Sequence, residues 1–207
     1  MKLLHAVAAA IVPPLCAACG RTCRPEATLC TRCSRRLAEA DPLEGAGAPG
    51  LDRAWSSACH EGVARDLVTA LKFRRLLPVA DLIADRIQWL APSTILSGTI
   101  VPVPTAPMRS ALRGFDPAAE IAAALAQRTE LPLSSCLIRR GGGRQVGKRR
   151  AQRIGHPPLI QGSGQVPRSV LLIDDVLTTG ATLSACARAL RSSGAIRVTS
   201  ITFTRRL

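Results

Sequence analysis

The segment Val170–Thr182 (VLLIDDVLTTGAT) constrains the fold more than any other part of the chain. The apolar run Val170–Ile173 has the composition of a strand that is buried on both faces, as in parallel sheets. It leads into Asp174 and Asp175 and then into a loop of small and hydroxylated residues, 178–182. Parallel sheets bind ligands at the carboxyl ends of their strands, and a loop that opens a helix there binds anions through its amide groups. The segment therefore predicts an α/β fold with a ligand site after this strand.

The rest of residues 51–207 alternates between strand-like and helix-like patterns. Strands are predicted at 54–59, 99–103, 169–173 and 196–203, and helices at 63–73, 76–90, 117–128 and 181–191. Asp116 followed by Pro117 is a typical helix start, and Gly194 is a typical helix stop. This alternation favours a parallel, Rossmann-like sheet.

The N-terminal part carries a spaced set of cysteines, Cys16-x2-Cys19 and Cys30-x2-Cys33. Two such pairs can complete a tetrahedral four-thiolate zinc site, which leaves no open position and is therefore structural. The alternative is an unmetallated or redox-active thiol cluster. Cys23 is a fifth cysteine, interpreted as a spare or as a substitute for one ligand.

Composition divides the chain into three predicted parts: a zinc ribbon with a short N-terminal helix at 1–40, a linker at 41–50 (DPLEGAGAPG), and an α/β domain at 51–207. Residues 1–12 resemble a signal peptide but form a run too short to span a bilayer. We interpret them as an amphipathic helix of a cytoplasmic protein without a membrane span. The clustered cysteines agree with that compartment.

The chain is strongly basic, with a formal net charge of +14. All but three of its 28 basic residues are Arg, whose planar fork suits phosphate groups. Anionic partners are therefore expected: phosphate metabolites, nucleic acid or an anionic membrane surface. A compositional bias that inflates Ala and Arg along the whole chain is the alternative. The aromatic content of 2% weighs against stacking platforms for single-stranded nucleic acid.

The chemistry of the 170–182 segment matches a sugar phosphate. Adjacent carboxylates can accept hydrogen bonds from sugar hydroxyls, and the loop that follows can hold a phosphate, so ribose 5-phosphate fits both halves. The segment lacks the Lys of a nucleotide-binding P-loop. A plain strand-end turn followed by a helix cap is the alternative.

These residues resemble the phosphoribosyl-pyrophosphate (PRPP) signature of type I phosphoribosyltransferases. Together with residues 100–104 (IVPVP), 113–115 (RGF), Gln145, Arg153 and the cysteine knuckles, they resemble the ComF/GntX family. Members of that family have a phosphoribosyltransferase fold and an N-terminal zinc ribbon, and several are linked to natural competence and DNA uptake. The resemblance implies Mg-dependent transfer of ribose 5-phosphate to an unknown acceptor. It also suggests single-stranded DNA and competence-machinery proteins as partners.

The resemblance also assigns roles to single residues. Asp174 and Asp175 would hold the ribose hydroxyls, and Arg109 and Arg113 would bind pyrophosphate beside them in the catalytic set. The 5′-phosphate would be bound by Thr178, Thr179, Gly180, Ala181 and Thr182, and the pyrophosphate loop would be Val103, Pro104 and Thr105. The family usually has Asn after RGF, where this chain has Asp116.

Three readings remain for the basic segment 139–153: a loop that closes over PRPP, a nucleic-acid contact, and a solvated loop. Any acceptor-binding hood is expected to come from residues before Thr99. There, Lys72 is a candidate contact for a phosphate or the acceptor, although a solvated helix face is the favoured interpretation. His60 is interpreted as a surface or capped histidine. Two function classes stay open: a PRPP-dependent transferase, and a non-enzymatic factor that senses PRPP or handles DNA.

Overall fold

A computed structural model describes residues 14–45, 47–139 and 159–207 of the chain. The strands are β1 (Leu43–Gly45), β2 (Arg53–Cys59), β3 (Thr99–Pro102), β4 (Leu137–Arg139), β5 (Ile160–Gly162), β6 (Ser169–Leu177) and β7 (Arg197–Arg205). The helices are α1 (Thr31–Ala38), α2 (Gly62–Arg74), α3 (Pro78–Leu90), α4 (Pro107–Arg113), α5 (Pro117–Thr129) and α6 (Ala181–Ser192). Within these described ranges, no helix combines the length and hydropathy that crossing a membrane requires.

Five strands form the central sheet in the order β1-β2-β7-β6-β3. The pairs β2–β7, β7–β6 and β6–β3 are parallel, and the short β1 lies antiparallel to β2 at one edge. Strands β4 and β5 form a separate antiparallel pair. The predicted α/β fold with a mostly parallel sheet is confirmed, and the carboxyl ends of four parallel strands meet at one edge.

The long elements predicted from periodicity are all present, and Asp116 caps α5 as predicted. Strand β6, however, does not end before the two aspartates as the sequence predicts. It continues to Leu177 because β7 is equally long and pairs with it, with Asp174 opposite Thr202 and Leu177 opposite Arg205. Both carboxylates therefore extend from a paired strand, which fixes their positions more firmly than a loop would.

The sheet is covered on both faces, as the apolar run 170–173 predicts. Leu171 and Ile173 pack into one core, with helices α2, α3 and α5, while Val170 and Leu172 pack into the other, with α6. Side chains alternate between faces along a strand. Asp175 therefore extends on the α2 side of the sheet, and Asp174 on the α6 side.

The cysteine-rich segment packs directly against the α/β core. Cys16, Cys33 and Leu37 belong to the same buried cluster as Leu67 and Leu71 of α2. Arg74 at the end of α2 donates a hydrogen bond from Nη1 to the carbonyl of Ala17, at 2.9 Å. The segment 41–50, predicted as a linker, contributes β1 to the central sheet. The predicted three-part division of the chain stays a prediction.

Candidate functional site

A cavity of about 480 Å³ opens at the carboxyl edge of the sheet. It is lined by nine of the residues predicted to bind the ligand: Val103, Pro104, Thr105, Arg109, Arg113, Asp174, Asp175, Thr178 and Thr182. The remaining three, Thr179, Gly180 and Ala181, line an adjoining pocket of about 40 Å³ that shares Asp174, Thr178 and Thr182 with the cavity. The fold thus brings together residues from three separate parts of the sequence.

The two adjacent aspartates have different surroundings. Asp175 is 6% exposed, and its Oδ2 lies 2.6 Å from Nζ of Lys72. Asp174 accepts a hydrogen bond from the backbone N–H of Asp175 at 2.8 Å. Burial, followed by the charge of Asp175, raises the pKa of Asp174 well above its ordinary value, and Lys72 opposes this only in part. The pair therefore resists carrying two full negative charges.

The sequence makes Lys72 only a secondary candidate for this site, and the favoured interpretation as a solvated helix residue is wrong. Its side chain is only 20% exposed and lies against Asp175. The available signal is its spacing: Lys72 follows Val68 by four positions, and Val68 lies on the buried face of α2 and lines the cavity. A Lys one helical turn after Val68 therefore lies beside the cavity.

The loop 178–182 has the geometry of an anion site. Gly180 is the N-cap of α6 with φ 73°, a left-handed conformation that favours glycine. A Cβ built on Gly180 would lie 2.7 Å from Cβ of Ala48, so close packing excludes a larger residue as well. The helix that follows has 12 residues, and its first two, Ala181 and Thr182, line the adjoining pocket. The sequence predicted this arrangement.

The carboxylate of Asp116 holds the loop that follows β3 through hydrogen bonds. One carboxylate oxygen accepts from the backbone N–H of Thr105 at 3.0 Å, and the other accepts from Oγ1 of Thr105 at 2.9 Å and from the N–H of Ala118 at 3.0 Å. An Asn side chain offers a single acceptor oxygen for these three donors. Asp116, which stands where the family usually has Asn, therefore attaches the Thr105 loop more firmly to α5.

Two arginines of α4 line the cavity. Arg109 and Arg113 both line it, and the guanidinium of Arg113 lies 5.4 Å from the ring centroid of Phe73 on α2. This cation–π contact joins α4 to α2 across the cavity. Helix α4 itself begins at Pro107 and ends at Gly114, whose φ is 74°.

The four predicted cysteines form a compact cluster. The sulfur atoms of Cys16, Cys19, Cys30 and Cys33 all lie within 4.8 Å of one another, and those of Cys19 and Cys30 are 3.8 Å apart. Tetrahedral zinc with Zn–S bonds of about 2.3 Å separates its sulfurs by about 3.8 Å, so the donor set fits this metal. Cys23 lies outside the cluster and is directed at the carbonyls of Ala27 and Pro14.

Within the cluster the thiols differ in acidity. Burial opposes ionisation of Cys16, but hydrogen bonds from the backbone of Cys19, Cys30 and Ala18 lower its pKa to about 6. Burial and the neighbouring sulfurs raise the pKa of Cys33. One sulfur is thus ready as a thiolate ligand, while metal binding must displace protons from others.

Several predicted features lie outside the described residues. These are residues 1–13, with the N-terminal helix, and residues 140–158, with Gln145, Arg153 and nearly all of the basic segment. Arg139, its first residue, lies at the end of β4 and lines the cavity.

Part of the chain is similar in sequence to known proteins. Residues 111–207 match the phosphoribosyl transferase domain family. Over 107 residues the chain is 31% identical to Competence protein ComFC of Streptococcus pneumoniae (strain ATCC BAA-255 / R6). The resemblance to the ComF family is confirmed. That alignment covers 51% of this ComF-like chain and 47% of the length of the relative.

Solved structures similar to this ComF-like chain are distant in sequence. Orotate phosphoribosyltransferase from Aeropyrum pernix is 20% identical, with a TM-score of 0.43 and coverage of 84% of this chain and 80% of that one. Adenine phosphoribosyltransferase from Leishmania donovani is 15% identical, with a TM-score of 0.37 and coverage of 67% and 68%.

Proposed function

We propose that this ComF-like chain binds PRPP in the cavity at the carboxyl edge of its sheet. The observation that carries the proposal is the convergence, around one cavity, of the two aspartates, the loop that opens α6, and the Thr105 loop with its neighbouring arginines. These groups match the three parts of PRPP: ribose hydroxyls, 5′-phosphate and pyrophosphate. The proposed roles are those implied by the family resemblance.

Each proposed role has support in the local contacts. The 5′-phosphate would meet the first amide groups of α6, where the helix dipole favours an anion. The ribose hydroxyls would donate to the aspartates, of which Asp175 is held in place by Lys72. Pyrophosphate would lie between the Thr105 loop, which Asp116 fastens, and the guanidinium groups of Arg109 and Arg113.

The residues present also fit magnesium carried by the ligand. Asp174 lines both the cavity and the adjoining pocket, so its carboxylate can contact a cation whose other ligands are phosphate oxygens and water. Bound magnesium would neutralise charge on the leaving pyrophosphate. Zinc belongs to the separate four-cysteine cluster, where it would be structural.

The reaction that this site supports is transfer of ribose 5-phosphate to an acceptor. The bond from C1′ to pyrophosphate breaks, and its electron pair leaves with the pyrophosphate. The chain contributes by positioning PRPP and by presenting Arg109 and Arg113 to the developing charge.

Ligand binding tests this proposal directly. PRPP with magnesium is expected to raise the melting temperature of the wild type and to give a calorimetric binding isotherm. The double variant Asp174→Ala/Asp175→Ala is expected to lose both signals. The matched control is Asp81→Ala/Asp85→Ala, which removes two exposed carboxylates of α3 that pair with Arg128 far from the cavity. Absence of binding to the wild type would refute the site.

A non-enzymatic role in PRPP sensing or single-stranded DNA handling is the second candidate, in a cytoplasmic protein linked to competence. It is favoured by the net charge of +14 and by the name of the similar competence protein. It predicts salt-sensitive binding of single-stranded DNA that weakens when Arg149, Arg150 and Arg153 are replaced by Gln. PRPP binding without pyrophosphate release would favour this candidate over the transferase.

A further inference from the structure

The cavity has a second half that the proposed PRPP contacts leave unassigned. It is formed by the end of β2, one side of α2 and the residue after β7. His60, Arg65, Thr69, Phe73 and Arg206 line it, and Lys72 lies at the boundary with Asp175. Because β2 and β7 lie on the opposite side of β6 from β3, this half is separated from the proposed pyrophosphate loop by the aspartates. It is the place where an acceptor can approach C1′.

His60 is held in this half by two hydrogen bonds. Its backbone N–H donates to the carbonyl of Arg205 at 2.7 Å. Its Nδ1 lies 2.8 Å from Oγ1 of Thr204, and that hydroxyl donates its proton to the carbonyl of Asp175 at 3.3 Å. A threonine hydroxyl has one proton, and a carbonyl can only accept. When the Thr204 proton is directed at that carbonyl, Oγ1 accepts from Nδ1–H of His60.

This chain of hydrogen bonds determines the tautomer of the ring. With the proton on Nδ1, the lone pair of the neutral imidazole is on Nε2. Thr204 is fully buried in the sheet, whereas His60 lines the cavity. The ring therefore offers its basic nitrogen to the cavity side.

The charges around His60 keep the ring neutral. Burial and the positive charges of Arg206 and Lys72, with a smaller effect from Arg65, lower the pKa of His60 below its ordinary value of 6.5. Asp175 opposes this shift, but it is paired with Lys72. At neutral pH the ring is thus a base that has not yet taken up a proton.

The same positive charges favour an acceptor that is itself negatively charged. Among the described residues that line the second half, Arg65 and Arg206 are exposed cations. Of the two cavity carboxylates, Asp175 is paired with Lys72, and Asp174 extends on the other face of the sheet. The ion pair between Arg65 and Asp66 is solvent-exposed and weak. An acceptor with its own carboxylate or phosphate group suits this half better than a neutral one.

From these contacts we propose that His60 is the general base of phosphoribosyl transfer to an anionic acceptor with an ionisable N–H or O–H group. The proposal rests on the proposed function. The acceptor lone pair forms the new bond to C1′, the C1′–O bond breaks with its electron pair on pyrophosphate, and the acceptor proton passes to Nε2 of His60 and then to water.

The tautomer is tested by nitrogen-15 NMR of the histidine rings, with and without PRPP. The expected spectrum at pH 7 shows His60 neutral, with the proton on Nδ1. Thr204→Val removes the hydroxyl at similar volume and is expected to give a mixture of tautomers, whereas Thr204→Ser retains the wild-type pattern. A ring protonated on Nε2 in the wild type would overturn the proposal.

Catalysis is tested by pyrophosphate release from PRPP. The acceptors are water and two pairs that differ by one carboxylate: aniline and 2-aminobenzoate, and uracil and uracil-6-carboxylate. We expect the carboxylated member of at least one pair to react faster. His60→Asn, which keeps a donor to Thr204 but has no basic nitrogen, is expected to lower kcat by about 10²–10⁴-fold, the usual contribution of a general base.

The pH profile and PRPP binding distinguish a failure of the proposed general base from a failure of the proposed function. Wild-type kcat/KM is expected to rise with pH through a pKa below 6.5, and His60→Asn is expected to lose that limb. The variant should keep its calorimetric affinity for PRPP. If the wild type binds no PRPP, the proposed function fails. If PRPP binds but no pyrophosphate is released, the transferase is rejected together with the base, while PRPP binding stands. If pyrophosphate is released and His60→Asn releases it as fast as the wild type, only the base is rejected.

Discussion

Asp174 and Asp175 are neighbours in sequence, but the fold stabilises their charges unequally. Lys72 neutralises Asp175 from the α2 side, whereas Asp174 extends on the other face and is left with burial and the repulsion of its neighbour. Active sites commonly retain such unfavourable charges because the ligand requires them. In the ligand-free protein, Asp174 is therefore expected to lower stability.

The variant Asp174→Asn tests this expectation through pH. The pKa of Asp174 in the folded protein is raised above the ordinary value of 3.8, so its stabilising contribution is complete below pH 3.8 and is lost as pH rises through the folded pKa. The variant cannot ionise. Without ligand, it is expected to exceed the wild type in free energy of unfolding by about 1–2 kcal/mol at neutral pH.

Urea unfolding at a series of pH values measures this difference, which is expected to shrink toward pH 3.8. Asp41→Asn, at an exposed position outside the cavity, reports the effect of removing a surface charge. A difference for Asp174→Asn that stays constant with pH would contradict the unfavourable ionisation of Asp174.

At the residue scale, the sequence located the groups that act through local motifs. Asp174, the 178–182 loop and the cysteines are recognisable because their neighbours in sequence define their role. The pairing of Lys72 with Asp175 and of His60 with Thr204 was not recognised, because each pair is separated by more than a hundred positions in the chain. Such pairs become visible only when the strand order is known.

At the scale of elements, the start of α6 depends on one glycine. Gly180→Ala introduces a side chain at a positive φ and places its Cβ against Ala48. Gly164→Ala is the matched control, since Gly164 has φ 69° and no atom within 4 Å of a built Cβ. The control is expected to lose about 1 kcal/mol of stability from backbone strain alone.

Gly180→Ala is expected to lose more than this control and also to weaken PRPP binding, because the loop must shift to admit the methyl group. Thermal unfolding and calorimetry with PRPP measure the two effects. Adding Ala48→Gly removes the opposing Cβ and is expected to restore part of both. Equal losses for Gly180→Ala and Gly164→Ala would contradict the role of close packing.

Long helices and strands were predicted more accurately from the sequence than short ones. Helices such as α3 and α5, with 13 residues each, repeat their apolar spacing often enough to be read from sequence. The three-residue strands β1, β4 and β5 contain too few residues for any period. The extension of β6 to Leu177 depends on pairing with β7, which is a non-local contact.

On the scale of the whole molecule, the four-cysteine cluster is part of the main core and not an attached module. Its residues share a buried cluster with α2, and Arg74 bonds to the knuckle. Loss of zinc is therefore expected to lower the stability of the α/β core as well. The sequence predicted the metal ligands but could not predict this packing, because it joins segments without local pattern.

Zinc content and differential scanning calorimetry test this coupling. The wild type is expected to contain one zinc ion per chain and to unfold in a single transition that chelation shifts to lower temperature. Cys30→Ser is expected to lose zinc and to unfold at lower temperature even before chelation. Cys23→Ser, outside the cluster, is expected to keep both properties. Two separate transitions would show that the cluster folds independently.

Helix α2 contacts all three parts of this arrangement. Leu67 and Leu71 pack in the core, Lys72 lies against Asp175, and Arg74 binds the knuckle carbonyl. Any disturbance at the knuckle is therefore passed along one short helix to the acidic pair. We therefore expect preparations with different metal occupancy to differ in their proposed PRPP binding although their sequence is the same.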